Sequence, residues 1–87
     1  MKVLEIKDML RKEVPLYYRM DYTGTAVVEI PLKVIEAPVE FTIETDPLGR
    51  KTIELTLKND IDYPLVPLVK SLKEYILELS REGLLPL

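Results

Sequence analysis

The spacing of apolar residues changes twice along this chain and divides it into three stretches. In KVLEIKDMLRKEV, Val3, Ile6, Leu10 and Val14, with Met9, recur every three or four positions, while Lys7, Arg11 and Lys12 fall between them. That spacing predicts a short amphipathic helix, ended by Pro15, which lacks an N–H and turns the preceding residue away from helical angles. At the other end, LVPLVKSLKEYILELSREG sets Leu65, Leu68, Val69, Leu72, Ile76 and Leu79 on one stripe, with Lys70, Lys73, Glu74, Glu78 and Arg81 outside it. A second, longer helix is expected there. Asp62 is its candidate cap, Pro64 and Pro67 suit an opening turn, and Gly83 suits a left-handed stop with Leu84 packing back on Leu79.

Between the helical patterns the period falls to two. Val39, Phe41 and Ile43 alternate with Glu40, Thr42 and Glu44, and Ile53, Leu55 and Leu57 alternate with Thr52, Glu54 and Thr56. These are two strands joined at Asp46-Pro47-Leu48-Gly49: proline favours a type I turn, and the glycine fits the left-handed bulge of a three-residue loop. The loop pairs Asp46 with Arg50, and so Ile43 with Ile53, Phe41 with Leu55 and Val39 with Leu57. A slip of one residue would oppose apolar to polar at every position.

By the same reasoning, Tyr22-Thr23-Gly24 in PLYYRMDYTG is a second three-residue loop, pairing Asp21 with Thr25, Met20 with Ala26, Tyr18 with Val28 and Leu16 with Ile30. Tyr18 and Met20 then point inward, and Tyr17, Arg19 and Asp21 outward. If residues 16–21 are only a connector, three strands remain. The expected architecture is an α+β two-layer sandwich: an N-terminal helix, an antiparallel meander of three or four strands and a C-terminal helix, with both helices on one face of the sheet. At 87 residues the chain builds one hydrophobic core, so residues 1–87 form a single domain.

Composition narrows the chemistry. Cysteine and histidine are absent, which removes thiol nucleophiles, disulfides, zinc–thiolate sites and the usual general base. Asp60 and Asp62 lack the further oxygen ligands and turn glycine of a calcium loop, and capping accounts for Asp62. No catalytic, cofactor-binding or metal-binding set is expected, and the protein is not read as an enzyme. Few amides with many Lys, Glu and Pro form a thermophile-like composition. No stretch is apolar for the length of a membrane span, and Glu5 and Asp8 interrupt any leader core, which points to a cytoplasmic protein. Twelve basic and fifteen acidic residues leave a formal charge of −3, giving no bulk attraction to phosphate. The outer sheet face, with Asp21, Glu29, Glu40, Glu44 and Glu54 against Arg19 and Lys58, has the same sign.

Excess apolar surface is the remaining signal. Tyr75 and Leu77 lie off the helical stripe, and the chain ends in LLPL, whose Leu85 and Leu87 need cover. The leading expectation is a non-enzymatic protein-association module that also self-associates, with Tyr17, Arg19, Asp21, Tyr75, Leu77, Leu85 and Leu87 as its interaction surface. A small-ligand site around Tyr17 and Arg19 is a further candidate. With three strands the element order αβββα resembles the double-stranded RNA-binding domain. That resemblance implies duplex RNA contacts from Lys7, Arg11, Lys33, Lys70 and Lys73. The chain departs from that family in having DYPLVPL where the second helix should begin with lysines, and no histidine for the loop between the first strands.

Overall fold

A computed structural model describes residues 1–86; Leu87 lies outside the described residues. Four strands, β1 (Lys2–Lys12), β2 (Arg19–Ile30), β3 (Lys33–Thr45) and β4 (Lys51–Leu57), form one antiparallel meander in the order β1-β2-β3-β4, followed by a single helix, α1 (Leu65–Arg81). The expected N-terminal helix, and with it the αβββα layout, is overturned: residues 2–12 are an edge strand.

The physical reason is a pair of bulges. Against β2 the register of β1 shifts between Val3 and Glu5 and again between Lys7 and Leu10, and Asp8 takes a left-handed φ of 55°. Each bulge inserts a residue that reverses the in–out alternation. Val3, Ile6 and Met9 therefore all reach the core side at intervals of three, and a doubly bulged strand carries the spacing of a helix.

The second correction concerns Tyr22-Thr23-Gly24, which is no turn but the middle of β2. Met20, Tyr22, Gly24, Ala26, Val28 and Ile30 run unbroken at period two, and they oppose Ile43, Phe41, Val39, Ala37, Ile35 and Lys33 of β3. The turn lies at Pro31-Leu32, where Leu32 has φ 73°. A left-handed residue is needed at the second position of such a turn, and the chain supplies a leucine where glycine is usual. Replacing Leu32 with Gly is expected to stabilise the fold by up to about 1 kcal/mol, the left-handed cost of about 1–2 kcal/mol less the added chain entropy of about 0.5–1 kcal/mol. Urea denaturation reads this as a higher midpoint at unchanged slope; a lower midpoint would mean that the Leu32 side chain itself stabilises the turn.

The β3–β4 hairpin has the expected register, with Ile43 opposite Ile53, Phe41 opposite Leu55 and Val39 opposite Leu57. Gly49 adopts φ 82°, the Gly49 N–H donates to the Asp46 carbonyl at 2.9 Å, and the Asp46 N–H donates to the Arg50 carbonyl at 2.9 Å. Helix α1 lays Leu68, Leu72 and Ile76 on the inner face of the sheet, where they are buried with Ile6, Tyr22, Ala26, Val28, Ile30, Val39, Phe41 and Ile43. Pro64, not Asp62, occupies the N-cap position, with no side-chain cap bond. The helix stops as a Schellman motif: Gly83 has φ 70°, and the Leu84 N–H donates to the Leu79 carbonyl at 3.0 Å. Lys51 Nζ donates to Ser80 Oγ at 2.9 Å and ties the last helical turn to the start of β4.

Candidate functional site

One end of the sheet gathers the β1–β2 connection, residues 13–18, and the β3–β4 turn. The connection is drawn onto β3 because the Thr45 N–H donates to the Tyr18 carbonyl at 2.9 Å, extending the β2–β3 ladder by one bond. Just before it the chain bends, the Arg19 N–H donating to the Leu16 carbonyl at 3.4 Å. Tyr17 and Tyr18 emerge from this bend edge to face, with ring centroids 5.7 Å apart and planes at 89°. Tyr18, expected inward, is 44% exposed, and Tyr17 is 98% exposed. Together with Glu44, Thr45, Asp46, Pro47 and Thr52 they line an open hollow of about 630 Å³.

The carboxylates of this hollow are already engaged. Asp46 Oδ1 accepts from the Leu48 and Arg50 backbone N–H groups at 2.9 Å each, and Oδ2 accepts from Arg50 Nε at 2.7 Å. The Arg50 backbone N–H, with its guanidinium and the Leu48 N–H, outweighs desolvation and holds the Asp46 carboxyl below its usual range. Glu44 accepts a longer bond from Arg19 Nη1 at 3.5 Å. What the hollow offers a ligand is therefore two aromatic faces, a proline ring and hydroxyl groups.

A carboxyl depressed on folding contributes stability above its unfolded value, near 3.8, and loses that contribution as pH falls through the folded value. An Asp46→Asn variant should accordingly have a lower urea midpoint than the parent at neutral pH. The gap is expected to close between about pH 5 and pH 2. A gap independent of pH would show that the charge of Asp46 does not hold the turn.

Beside the hollow, on the outer face of the sheet, Lys12, Arg19, Asp21, Glu40, Thr42, Glu54 and Thr56 surround a shallower depression of about 230 Å³. Asp21 Oδ1 accepts from Arg19 Nε and from Thr42 Oγ1, both at 2.9 Å. Desolvation pushes the Asp21 carboxyl up, but these two hydrogen bonds and the charges of Arg19 and Lys12 prevail and keep it low. Glu40 is shared by Lys58 and Lys12 at 3.0 Å each, and these hydrogen bonds lower its carboxyl in turn. Lys7 meets Glu36 at 2.7 Å. The predicted excess of negative charge on this face is thus offset by lysines from β1, which the sequence pattern had assigned to a helix.

The predicted site residues separate. Arg19 and Asp21 are joined on the outer face, whereas Tyr17 belongs to the hollow. Tyr75 and Leu85 are half-buried and pack against the core, and Leu77 is half-buried on α1. The Tyr22 hydroxyl donates to the Pro86 carbonyl at 3.3 Å, and burial pushes its phenol up. The tail through Pro86 folds back on its own domain; Leu87 lies outside the described residues. Of the basic residues set aside for RNA, Lys7 and Arg11 sit on a strand and Lys70 and Lys73 on α1, with Lys33 at the β2–β3 turn. The first helix that would have carried two of them does not exist. Tyr18, Thr45, Asp46, Pro47 and Thr52 were not anticipated as site residues. The unbroken alternation from Met20 to Ile30 was the available signal, because reading it as one strand leaves Tyr17 and Tyr18 in a connection.

Fold and site together define a four-stranded meander backed by one helix, with an aromatic hollow at one end. Among the described residues no group of three or more His, Cys, Asp or Glu could hold a metal ion, and no helix is long and apolar enough to cross a membrane. The model of an uncharacterised protein family, one that carries a locus designation in place of a functional name, matches residues 1–81, and the chain belongs to that family. No curated protein and no solved structure matches it.

Proposed function

We propose that the protein is a non-enzymatic association module that acts by binding, including binding to itself. The observation that carries this is the apolar and aromatic surface at one end: Tyr17, Tyr18, Leu16 and Leu48 are all exposed there. Tyrosines held at a rigid sheet end offer large contact area at little entropic cost, the property that makes them anchors in protein interfaces. Sedimentation equilibrium from low to high micromolar concentration tests the self-association, which should appear as a mass rising with concentration. A constant monomer mass removes it.

A second use of the hollow is favoured by its size. About 630 Å³ lies within the range of small-molecule pockets, and two tyrosine faces with a proline ring suit a flat or cationic ligand. Amide-shift titration with aromatic and quaternary-ammonium compounds should then move Tyr17, Tyr18, Thr45 and Thr52 together. Shifts scattered over the chain would leave the hollow to protein partners.

A further inference from the structure

The two edges of the sheet are built differently. The β1 edge is interrupted by two bulges and studded with Lys2, Glu5, Lys7, Asp8, Arg11 and Lys12, both of which discourage another strand from pairing there. The β4 edge has neither defence in full. Its seven residues pair with β3 without a register shift, and none is a proline or left-handed.

Its backbone direction follows from the bonds at its two ends. The Lys58 N–H donates to the Pro38 carbonyl at 3.0 Å, and the Arg50 carbonyl accepts from the Asp46 N–H at 2.9 Å. The N–H and C=O of a strand residue point to the same side, and the sides alternate along the strand. Even-numbered positions therefore face β3, while Lys51, Ile53, Leu55 and Leu57 direct their backbone groups away from the sheet. No backbone bond from another described segment reaches them. On the inner face Ile53, Leu55 and Leu57 remain half-exposed, and on the outer face Glu54 forms no ion pair with a described residue.

We propose that the β4 edge is the self-association surface, pairing antiparallel with β4 of a second copy about a twofold axis at Leu55; this rests on the self-association proposed above. In that register Leu55 meets its own mate and Ile53 meets Leu57, so the apolar row continues into the second copy. Glu54 lies opposite Thr56 and diagonal to Lys58 of the second copy, which supplies the cation it lacks. Two neighbouring twofold registers are worse. Centring on Glu54 sets two carboxylates face to face, and centring on Ile53 sets Lys51 against Leu55 on the apolar side. Registers one residue out of phase place inner residues against outer ones.

The chain has no cysteine, so cross-linking is free of background thiols. A mixture of the Glu54→Cys chain and the Thr56→Cys chain should give a disulfide heterodimer in greater yield than either chain alone, because directly opposite positions come about 4.5–5.5 Å apart. Glu54→Lys should raise the dimer dissociation constant about tenfold by facing Lys58 of the second copy, and Glu54→Lys with Lys58→Glu should restore it. If the parent chain is a monomer throughout, self-association and this surface both fall. If it dimerises but Glu54→Lys leaves the constant unchanged and the mixture does not cross-link, only the β4 edge is overturned. Cross-linking confined to Glu54→Cys alone would overturn the Leu55-centred register.

Discussion

Phe41→Ala should remove about 3–5 kcal/mol from the free energy of unfolding. Phe41 lies in β3, an interior strand, is 2% exposed, and stacks on Tyr22 of β2 with centroids 5.1 Å apart and planes at 18°. Its other neighbour across the sheet is Leu55. Truncation there removes apolar area, a ring pair and the filling of a space whose walls are strands on both sides. Those walls cannot close in without breaking the register, which places the cost toward the upper end of large-to-small substitutions. Total stability for 87 residues is on the order of 4–13 kcal/mol, so the variant should sit near the edge of folding. Urea denaturation followed by circular dichroism measures this as a lower midpoint at unchanged slope. A loss below about 1 kcal/mol would show that the ring does not fill the core.

The second large effect concerns Gly24. A Cβ at that position would lie 2.9 Å from Ile6 Cγ2, 3.2 Å from Met9 Cγ and 3.4 Å from the Lys7 carbonyl oxygen. The glycine faces the second bulge of β1, where two residues crowd the space opposite one. Gly24→Ala should therefore cost about 1–3 kcal/mol, as overpacked cores do. Gly24→Asn discriminates the cause. Were Gly24 the left-handed residue of a tight turn, asparagine would be tolerated better than alanine, because it enters that conformation more readily. In a strand pressed against a bulge, the larger polar side chain should be the worse of the two. An asparagine variant more stable than the alanine one would refute the close approach as the reason for glycine.

Gly24 also marks where inference from the chain alone went astray. Glycine after Tyr22-Thr23 satisfies the chemistry of a three-residue hairpin loop, and the apolar residues on either side pair acceptably in that register. The structure keeps the same residues alternating in and out but extends them as one strand, and turns at Pro31-Leu32 instead. Local turn preference lost to the continuous pairing of β2 with β3, from Met20 opposite Ile43 to Ile30 opposite Lys33. The error carried to the site: Tyr18 was assigned to the core as a strand residue, whereas the connection it occupies exposes it beside Tyr17. Arg19 and Asp21 were placed outward correctly, because their parity is the same in either arrangement.

The β3–β4 hairpin and the helix stop at Gly83 were legible because each rests on residues close together in the chain. Asp46, Gly49 and Arg50 form the turn through bonds among themselves, and Gly83 with Leu84 closes on Leu79 and Ser80. These features are determined by the sequence locally, and tertiary packing has only to accept them. The state of residues 2–12, the site of the first turn and the hollow at Tyr17 and Tyr18 were decided by tertiary structure. A strand with two bulges and an amphipathic helix share the same apolar spacing, and only β2, already paired to β3 along its length, selects between them by offering an edge to complete.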